Sequence, residues 1–272
     1  MIVVRSVSDM RAFVRARHAG ERVGFVPTMG ALHEGHVSLM RMARFECEVA
    51  VASIFVNPTQ FNDPADLARY PRPEAADIEL AEESGLDALF MPAAAEMYRA
   101  SRVTTIDMTG PALGFEGEYR PGHFRGVLLV CLKLFHIVEP DAVYLGQKDA
   151  QQVAVLTELV RDLDLEIEIR VGRTVREADG LAMSSRNARL SPDERRRALA
   201  IPRALRRAVE AHGRGEDPVV AARAALDGLA VDYVGIADLN DRQTLVVAAS
   251  AGATRLIDNV PLDQPELAGF EV

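Results

Sequence analysis

The sequence has little cysteine and no long run of apolar residues. Its two cysteines, Cys47 and Cys131, are too few for a disulfide framework, and neither stands in a C-x-x-C spacing. No stretch approaches the roughly 18 consecutive apolar residues that a membrane-spanning helix requires. The N-terminus lacks the apolar segment and the small-residue cleavage site of a secretory signal. We therefore expect a cytoplasmic protein with no membrane partner.

An excess of positive charge is also absent. The chain of 272 residues has 31 Lys and Arg against 40 Asp and Glu, which gives a net charge of −9. This acidic total argues against extended nucleic-acid binding, which depends on neutralising phosphates. The Arg-rich segment 194–214 could still face RNA, but a solvated or subunit-facing helix fits the acidic total better. We expect small-molecule substrates and no nucleic-acid partner.

Short apolar runs alternate with helical patterns over the first two-thirds of the chain. The predicted strands cover 23–26, 49–56, 88–91, 142–145 and 165–171. Helical patterns follow Gly35 and cover 74–84 and 151–163. This alternation predicts an α/β fold with a Rossmann-like parallel sheet flanked by helices. Ligands of such sheets bind beyond the carboxyl ends of the strands.

The last hundred residues follow a different pattern. Ser191-Pro192-Asp193-Glu194 is typical of a helix start, with Ser as the N-cap and Glu three residues later. The predicted helix continues to about His212, and a second helix covers 219–229. Three short strands are predicted at 232–237, 244–249 and 254–259. We expect a smaller C-terminal α+β domain, with a boundary that divides the chain into domains 1–174 and 175–272.

The segment PTMGALHEGH (27–36) places two histidines, His33 and His36, where a predicted strand turns into a helix. Unpaired N–H groups and the helix dipole favour an anion at such a position, and histidines can add donors to phosphate oxygens. A zinc-peptidase motif requires H-E-x-x-H, so the spacing H-E-G-H excludes it. Two structural histidines remain the alternative, although the strand–turn–helix context favours phosphate chemistry.

Three further segments carry polar groups at predicted strand ends or in glycine-led loops. Lys148 in YLGQKD (144–149) could place a positive charge on phosphates, although most lysines are simply solvated. The two serines and the arginine of DGLAMSSRN (179–187) form either a triphosphate clamp or an interdomain linker. A side-chain amide in NPTQF (57–61), at the end of a predicted strand, suits a polar, uncharged substrate group such as a hydroxyl, although Asn-Pro also marks turns. RPGHFRGV (120–127) is either a mobile cover or a tight turn before a helix from Val127.

Taken together, these motifs resemble those of the pantothenate synthetases, the pantoate–β-alanine ligases of the H-x-G-H superfamily. The segments that carry the resemblance are PTMGALHEGH (27–36), SIFVNPTQF (53–61), LARYPR (67–72), RPGHFRGV (120–127), YLGQKDAQQ (144–152) and DGLAMSSRN (179–187). The resemblance implies that domain 1–174 binds nucleotide and pantoate and that domain 175–272 closes over the ATP site. It also implies a homodimer.

The resemblance implies a role for individual residues. The catalytic residues would be His36, as proton donor, with His33 and Lys148 on the phosphates. The ATP-binding residues would be Met29, Gly30, Ala31, Leu32, His33, Glu34, Gly35, His36, Gly146, Gln147, Lys148, Asp149, Val175, Met183, Ser184, Ser185 and Arg186. Gln60 and Gln152 would bind pantoate, with Gln60 also beside β-alanine. No residue is assigned as a metal ligand, and Mg²⁺ is expected with the co-substrate ATP.

The resemblance further implies ATP-dependent condensation of pantoate with β-alanine to give pantothenate, by way of a pantoyl adenylate. Two positions depart from the family pattern: Gln147 stands where Glu is common, and Pro73 stands where Thr is common. Three alternatives remain open: another nucleotidyltransferase of the superfamily, a tRNA-binding synthetase relative, and a nucleotide-sensing module without activity.

Overall fold

The computed structural model describes residues 1–17 and 20–270 and contains two compact units. The N-terminal unit comprises Met1–Leu145 and Val155–Gly172, and the C-terminal unit comprises Gly146–Ala154 and Arg173–Val272. The expected boundary at 174/175 lies two residues after the one between Gly172 and Arg173, and the expected first domain also included 146–154, which belong to the C-terminal unit. The physical reason is a set of side-chain hydrogen bonds that Asn259 forms with Gln147 and Lys148 inside the C-terminal unit.

A six-stranded parallel sheet in the order β1-β4-β3-β2-β5-β6 confirms the predicted Rossmann-like class. Its strands are β1 (Ile2–Val4), β2 (Val23–Thr28), β3 (Val49–Ile54), β4 (Ala88–Phe90), β5 (Ala142–Gly146) and β6 (Glu168–Gly172). The central strand β3 is buried from Val49 to Ser53, as its continuous apolar run predicts. The edge strand β1 was not predicted, since three residues carry too little pattern.

Helices flank this sheet. They are α1 (Val7–Arg17), α2 (Glu34–Glu46), α3 (Pro64–Arg69), α4 (Glu74–Glu83), α5 (Ala94–Met97), α6 (Phe115–Tyr119), α7 (His123–Val138) and α8 (Ala150–Asp162). The predicted apolar stripe of α2 is buried at Val37, Met40 and Ala43. Met40 and Ala43 join Leu89 of β4 and Ala81 of α4 in one hydrophobic core.

The C-terminal unit contains a three-stranded antiparallel sheet in the order β7-β8-β9. Its strands are β7 (Ala230–Leu239), β8 (Arg242–Ala251) and β9 (Thr254–Pro261), and its helices are α9 (Pro192–Ala198), α10 (Ala200–Gly213) and α11 (Pro218–Arg223). The core lies between α10 and the sheet and includes Leu205, Leu245 and Val260. This arrangement confirms the predicted α+β organisation of the segment.

Several predicted elements have different bounds, and three of them have a clear physical reason or a large difference. The helix expected from Pro192 to His212 is interrupted at Leu199, because Pro202 has no N–H for the carbonyl of Ala198. The helix expected to reach residue 229 ends at Arg223. The strand expected from residue 165 begins at Glu168, since the Leu165 N–H still bonds to the Val160 carbonyl of α8. In the described ranges, no helix is long and apolar enough to cross a membrane.

Candidate active site

The H-x-G-H segment (33–36) lies where the sequence predicted, at the start of α2 (Glu34–Glu46), after the turn that follows β2. His33 is the N-cap of α2, with the extended backbone (φ −146°) typical of that position. His36 lies in the first turn of the helix, and both imidazoles are half-buried. The segment therefore presents two histidines at the positive end of a helix dipole.

The two imidazoles interact with each other. Their ring centroids are 4.1 Å apart, and the His33 N–H donates to Nδ1 of His36 at 3.3 Å. A neutral His36 whose Nδ1 accepts a hydrogen bond carries its proton on Nε2. This tautomer makes Nε2 a donor, as binding to phosphate oxygens requires.

All four N–H groups of the turn 30–33 donate to side chains. Gly30 donates to Thr28 Oγ1 at 3.2 Å, Ala31 to Asp77 Oδ2 at 2.9 Å, and Leu32 to Asp77 Oδ1 at 2.7 Å. His33 completes the set with its bond to His36. Burial raises the pKa of the Asp77 carboxyl, and the hydrogen bonds from Leu32 and Ala31 partly offset that rise. Sequence reasoning missed Asp77, because its partners lie 45 and 46 positions away in the chain.

Gln60 lies in the 3₁₀ turn 58–60 after β3 and is buried. Asn57 Nδ2 donates to Gln60 Oε1 at 2.9 Å, and Gln60 Nε2 lies 3.2 Å from the sulfur of Met29. Asn57 is fixed in turn, because the hydroxyl of Tyr98 donates to its Oδ1 at 2.8 Å. The structure thus brings together two predicted site residues, Met29 and Gln60, and orients the Gln60 amide.

The RPGHFRGV segment supports this same turn. Helix α7 begins at His123, four residues before the predicted start, and His123 Nδ1–H donates to the Gln60 carbonyl at 3.0 Å. Arg120 contacts that carbonyl at 3.3 Å. A Cβ at Gly126 would lie 2.4 Å from the Thr59 carbonyl oxygen, so only glycine permits this approach of α7. The segment therefore forms a tight turn and a helix start, which is one of the two interpretations left open by the sequence.

In the C-terminal unit, the predicted residues Gln147, Lys148 and Asp149 form a 3₁₀ turn after β5. Asn259 Nδ2 donates to the carbonyls of Gln147 and Lys148, both at 2.9 Å, and Gln147 Nε2 donates to Asn259 Oδ1 at 2.9 Å. Gln147, one of the two departures from the family pattern, is thus buried in an amide–amide pair. Lys148 Nζ lies 3.7 Å from Asp149 Oδ1, and Gln152 is half-buried on α8.

The predicted triphosphate loop forms a second cluster in the C-terminal unit. The Met183 N–H donates to the Val175 carbonyl at 2.9 Å, and the Ser184 hydroxyl accepts from the Arg186 N–H at 3.3 Å. Asn187 Nδ2 donates to Glu177 Oε1 at 2.6 Å, which holds the end of the loop against its beginning. The predicted residues of this cluster are all half-buried: Val175, Met183, Ser184, Ser185 and Arg186.

Comparison with known proteins identifies the family. Residues 2–261 match the family model described as pantoate-beta-alanine ligase. The chain belongs to this ligase family. The pantothenate synthetase of Acidobacterium capsulatum is 50% identical in an alignment of 294 positions that covers 97% of this chain and 97% of its own. The pantothenate synthetase of Pelotomaculum thermopropionicum is 47% identical and aligns with 97% of this chain and all of its own.

Solved structures agree with this assignment. The pantothenate synthetase of Thermus thermophilus superposes with a TM-score of 0.90 at 42% identity, over 96% of this chain and 99% of its own. The ligase of Francisella tularensis, crystallised in complex with beta-gamma ATP and beta-alanine, superposes with a TM-score of 0.85 at 36% identity, over 97% and 98% of the two chains. The Rossmann-like architecture predicted from sequence is therefore that of the ligase family.

One residue of the expected ligand set faces elsewhere. Glu34 is exposed and forms an ion pair with Arg41 at 2.6 Å, so its side chain is engaged outside the histidine pair. Among the described residues, no three His, Cys, Asp or Glu side chains are grouped as a metal site.

Proposed function

We propose that the chain condenses pantoate with β-alanine to pantothenate, consuming ATP and releasing AMP and pyrophosphate. Membership of the ligase family supports this reaction. The observation that assigns this reaction to particular residues is their position after the carboxyl ends of β2 and β3. These residues are the contacting pairs His33–His36 and Met29–Gln60. This edge of a parallel sheet is where its ligands bind.

The reaction proceeds in two steps that need no protein nucleophile. A carboxylate oxygen of pantoate attacks the α-phosphorus of ATP, the bond to the β-phosphate oxygen breaks, and pyrophosphate leaves with its electron pair. The amine of β-alanine then attacks the acyl carbon of pantoyl adenylate, AMP departs, and the amine loses a proton. The protein contributes positioning and stabilisation of charge on the phosphates.

The N-terminal unit supplies donors for the first step. His36 Nε2–H donates to a phosphate oxygen, because the His33 N–H occupies Nδ1. The N–H groups of residues 30–33 are engaged by side chains, so main-chain donors to the anion come from residues 34 and 35 at the helix start. A single donor of this kind is worth on the order of 3 kcal/mol in the transition state.

The remaining assignments follow from the resemblance. Lys148 and the loop Met183–Arg186 of the C-terminal unit bind the ATP phosphates and close over them. Gln60 and Gln152 bind pantoate. A primary amide has two N–H donors, so Gln60 can contact Met29 and a hydroxyl of pantoate at the same time. Mg²⁺ bound with ATP would screen the phosphate charge, and the carboxylate of Asp149 lies beside Lys148 at this turn.

We also propose that the protein is a cytoplasmic homodimer. Val103 and Leu113 of the N-terminal unit are large apolar side chains that are 92% and 63% exposed, and a second copy of the chain would cover them. Light scattering during gel filtration measures the mass directly. A mass equal to one chain at micromolar concentration would exclude the dimer without affecting the proposed reaction.

One reconstitution tests the proposed reaction. The purified protein is mixed with ATP, Mg²⁺, pantoate and β-alanine, each component is omitted in turn, and AMP, pyrophosphate and pantothenate are measured. We expect pyrophosphate release to require pantoate and pantothenate formation to require β-alanine. ATP binding without pyrophosphate release would instead favour a nucleotide-sensing module. Retention of labelled tRNA at physiological salt would favour a synthetase relative.

A further inference from the structure

We propose that Asp77 is a positioning residue that fixes the turn carrying His33 and His36 in the geometry needed for adenylate formation. The inference rests on the proposed function for its catalytic consequence, but the structural part stands separately. Asp77 lies in the first turn of α4 and is 1% exposed. Its hydrogen bonds go to the main chain of the turn, so its effect on the histidines passes through that main chain.

The contacts of Asp77 are directed at the least regular part of the segment. Gly30 and Ala31 both have positive φ, +80° and +51°, and Ala31 adopts this conformation despite its Cβ. The carboxylate accepts from the Ala31 and Leu32 N–H groups with one oxygen each, at 2.9 and 2.7 Å. Such bidentate acceptance by an ionised group is strong and fixes the direction of both peptide groups.

The charge of Asp77 is not neutralised by an ion pair with any of the described residues. Arg5, which lines the same cavity, is bonded to Glu74 at 2.6 Å instead. A buried carboxylate without a cation is costly unless hydrogen bonds satisfy it. The two N–H groups of the turn supply those bonds, so the carboxylate and the turn stabilise each other.

Packing alone does not hold the turn on this side. A cavity of about 410 Å³ is lined by Met29, Ile54 and Asp77 together with Arg5 and Arg72. A side chain at Gly30 would lie 2.8 Å from Ile54 Cγ2 and 2.9 Å from Asp77 Oδ2, so the turn approaches both closely at this one point. Leu32 packs into the hydrophobic core on the other side of the turn, whereas the cavity side is open, so there the two hydrogen bonds from Asp77 fix the 31–32 peptide groups.

The consequence for His36 follows along the chain. Leu32 precedes His33, whose N–H donates to His36 Nδ1 and whose carbonyl accepts from the His36 and Val37 N–H groups. A rotation of the 31–32 peptide groups therefore moves the N-cap and changes the hydrogen bond that keeps the His36 proton on Nε2. Displacements of about 1 Å at a reacting group can cost two orders of magnitude in rate.

The first test is a double-mutant cycle of Asp77→Asn with His36→Ala, measured as pantoate-dependent pyrophosphate release. The amide keeps the shape but accepts only one of the two N–H bonds. We expect Asp77→Asn to lower kcat roughly tenfold to a hundredfold in the wild-type background. In the His36→Ala background the loss should fall below about threefold. Glu79→Gln, an exposed neutralisation on the same helix, is the matched control and should change neither rate.

An equal loss in both backgrounds would show that Asp77 does not act through His36 and would overturn the proposal. Two readouts do not depend on the reaction. In the wild-type protein, hydrogen exchange should show the Ala31 and Leu32 amides strongly protected, and exchange at the rate of an unstructured peptide would overturn the proposal even if Asp77→Asn does not fold. Where the variant folds, the His36 ring nitrogen resonances should shift in Asp77→Asn and stay unchanged in Glu79→Gln. If the wild-type protein makes no pantothenate while both readouts succeed, the proposed function fails and the positioning role remains.

Discussion

The two turns that carry the predicted phosphate-binding residues are held by opposite kinds of side chain. In the N-terminal unit, the turn 30–33 points two N–H groups at a carboxylate, Asp77. In the C-terminal unit, the turn 147–149 points two carbonyls at the amide of Asn259. In each case the main chain cannot satisfy its own polar groups, and a side chain from a distant element supplies the missing partner. The difference is charge: the first arrangement depends on ionisation, and the second does not.

The largest effect on the rate is expected from replacing His36, which follows the first turn at the start of α2. Replacing His36 with Ala should lower pyrophosphate release about a hundredfold, because one donor to the developing phosphate charge is lost while the fold remains. His136→Ala, which removes an exposed histidine of α7, is the matched control and should be neutral. Near-wild-type pyrophosphate release by His36→Ala would remove His36 from the mechanism.

The second turn can be examined without a mutation. The sequence contains two lysines, Lys133 and Lys148, so amine labelling followed by mass spectrometry reports on both in one experiment. At ATP ten times its Kd, Lys148 should be labelled about tenfold more slowly, since roughly one molecule in eleven remains free. Lys133 on α7 is the internal control and should keep its rate. Equal protection of both lysines, or of neither, would contradict the assignment of Lys148 to the phosphates.

The sequence was sufficient for the features that depend on local pattern. The apolar runs predicted the four inner strands of the parallel sheet. The Ser191 capping box is also present as expected, with the Ser191 hydroxyl accepting from the Glu194 N–H. The motifs also placed His33 and His36 at a helix start. What could not be predicted is pairing across long separations. In the sequence, Asp77 and Asn259 look like ordinary polar residues of a helix and a strand. Only the fold shows which main-chain N–H or carbonyl groups each one bonds.

Some errors arose where a local pattern was extended too far. The Arg-rich stretch predicts one helix, but Pro202 interrupts the hydrogen-bond ladder and separates α9 from α10. One of its arginines, Arg195, is engaged by Glu177 and Asp179 at 2.5 and 2.8 Å. This contact gives at least part of the arginine run a structural role beside the loop 179–187, which composition alone could not reveal.

The turn 147–149, which is held by the amide of Asn259, should contribute to stability, and Asn259→Asp tests this contribution. Asn259→Asp has the same shape, but its carboxylate would face two carbonyl oxygens that now receive a hydrogen bond. We expect a loss of about 1–3 kcal/mol in the free energy of unfolding, measured with urea at neutral pH. The loss should shrink in acid, where the new carboxyl is protonated and can donate. Gln243→Glu, an exposed amide-to-carboxyl change on β8, is the control. Equal stability of Asn259→Asp and the wild type would mean that the turn is held by other contacts.

The smallest effect concerns the pH dependence that distinguishes the two turns. Burial raises the folded-state pKa of Asp77, so between the ordinary carboxyl pKa of about 4 and the folded value the native state binds more protons than the unfolded chain. Stability therefore falls as the pH rises through this window, and the contribution is present in full only below it. Arg5, Arg72 and Glu74 line the same cavity and are present in both proteins, so the informative quantity is the difference in stability between wild type and Asp77→Asn. That difference should change across the window in favour of the variant as the pH rises, while the difference between wild type and Glu79→Gln stays flat. A stability difference that changed in favour of the wild type as the pH rises would mean that the two N–H bonds lower the pKa of Asp77 by more than burial raises it.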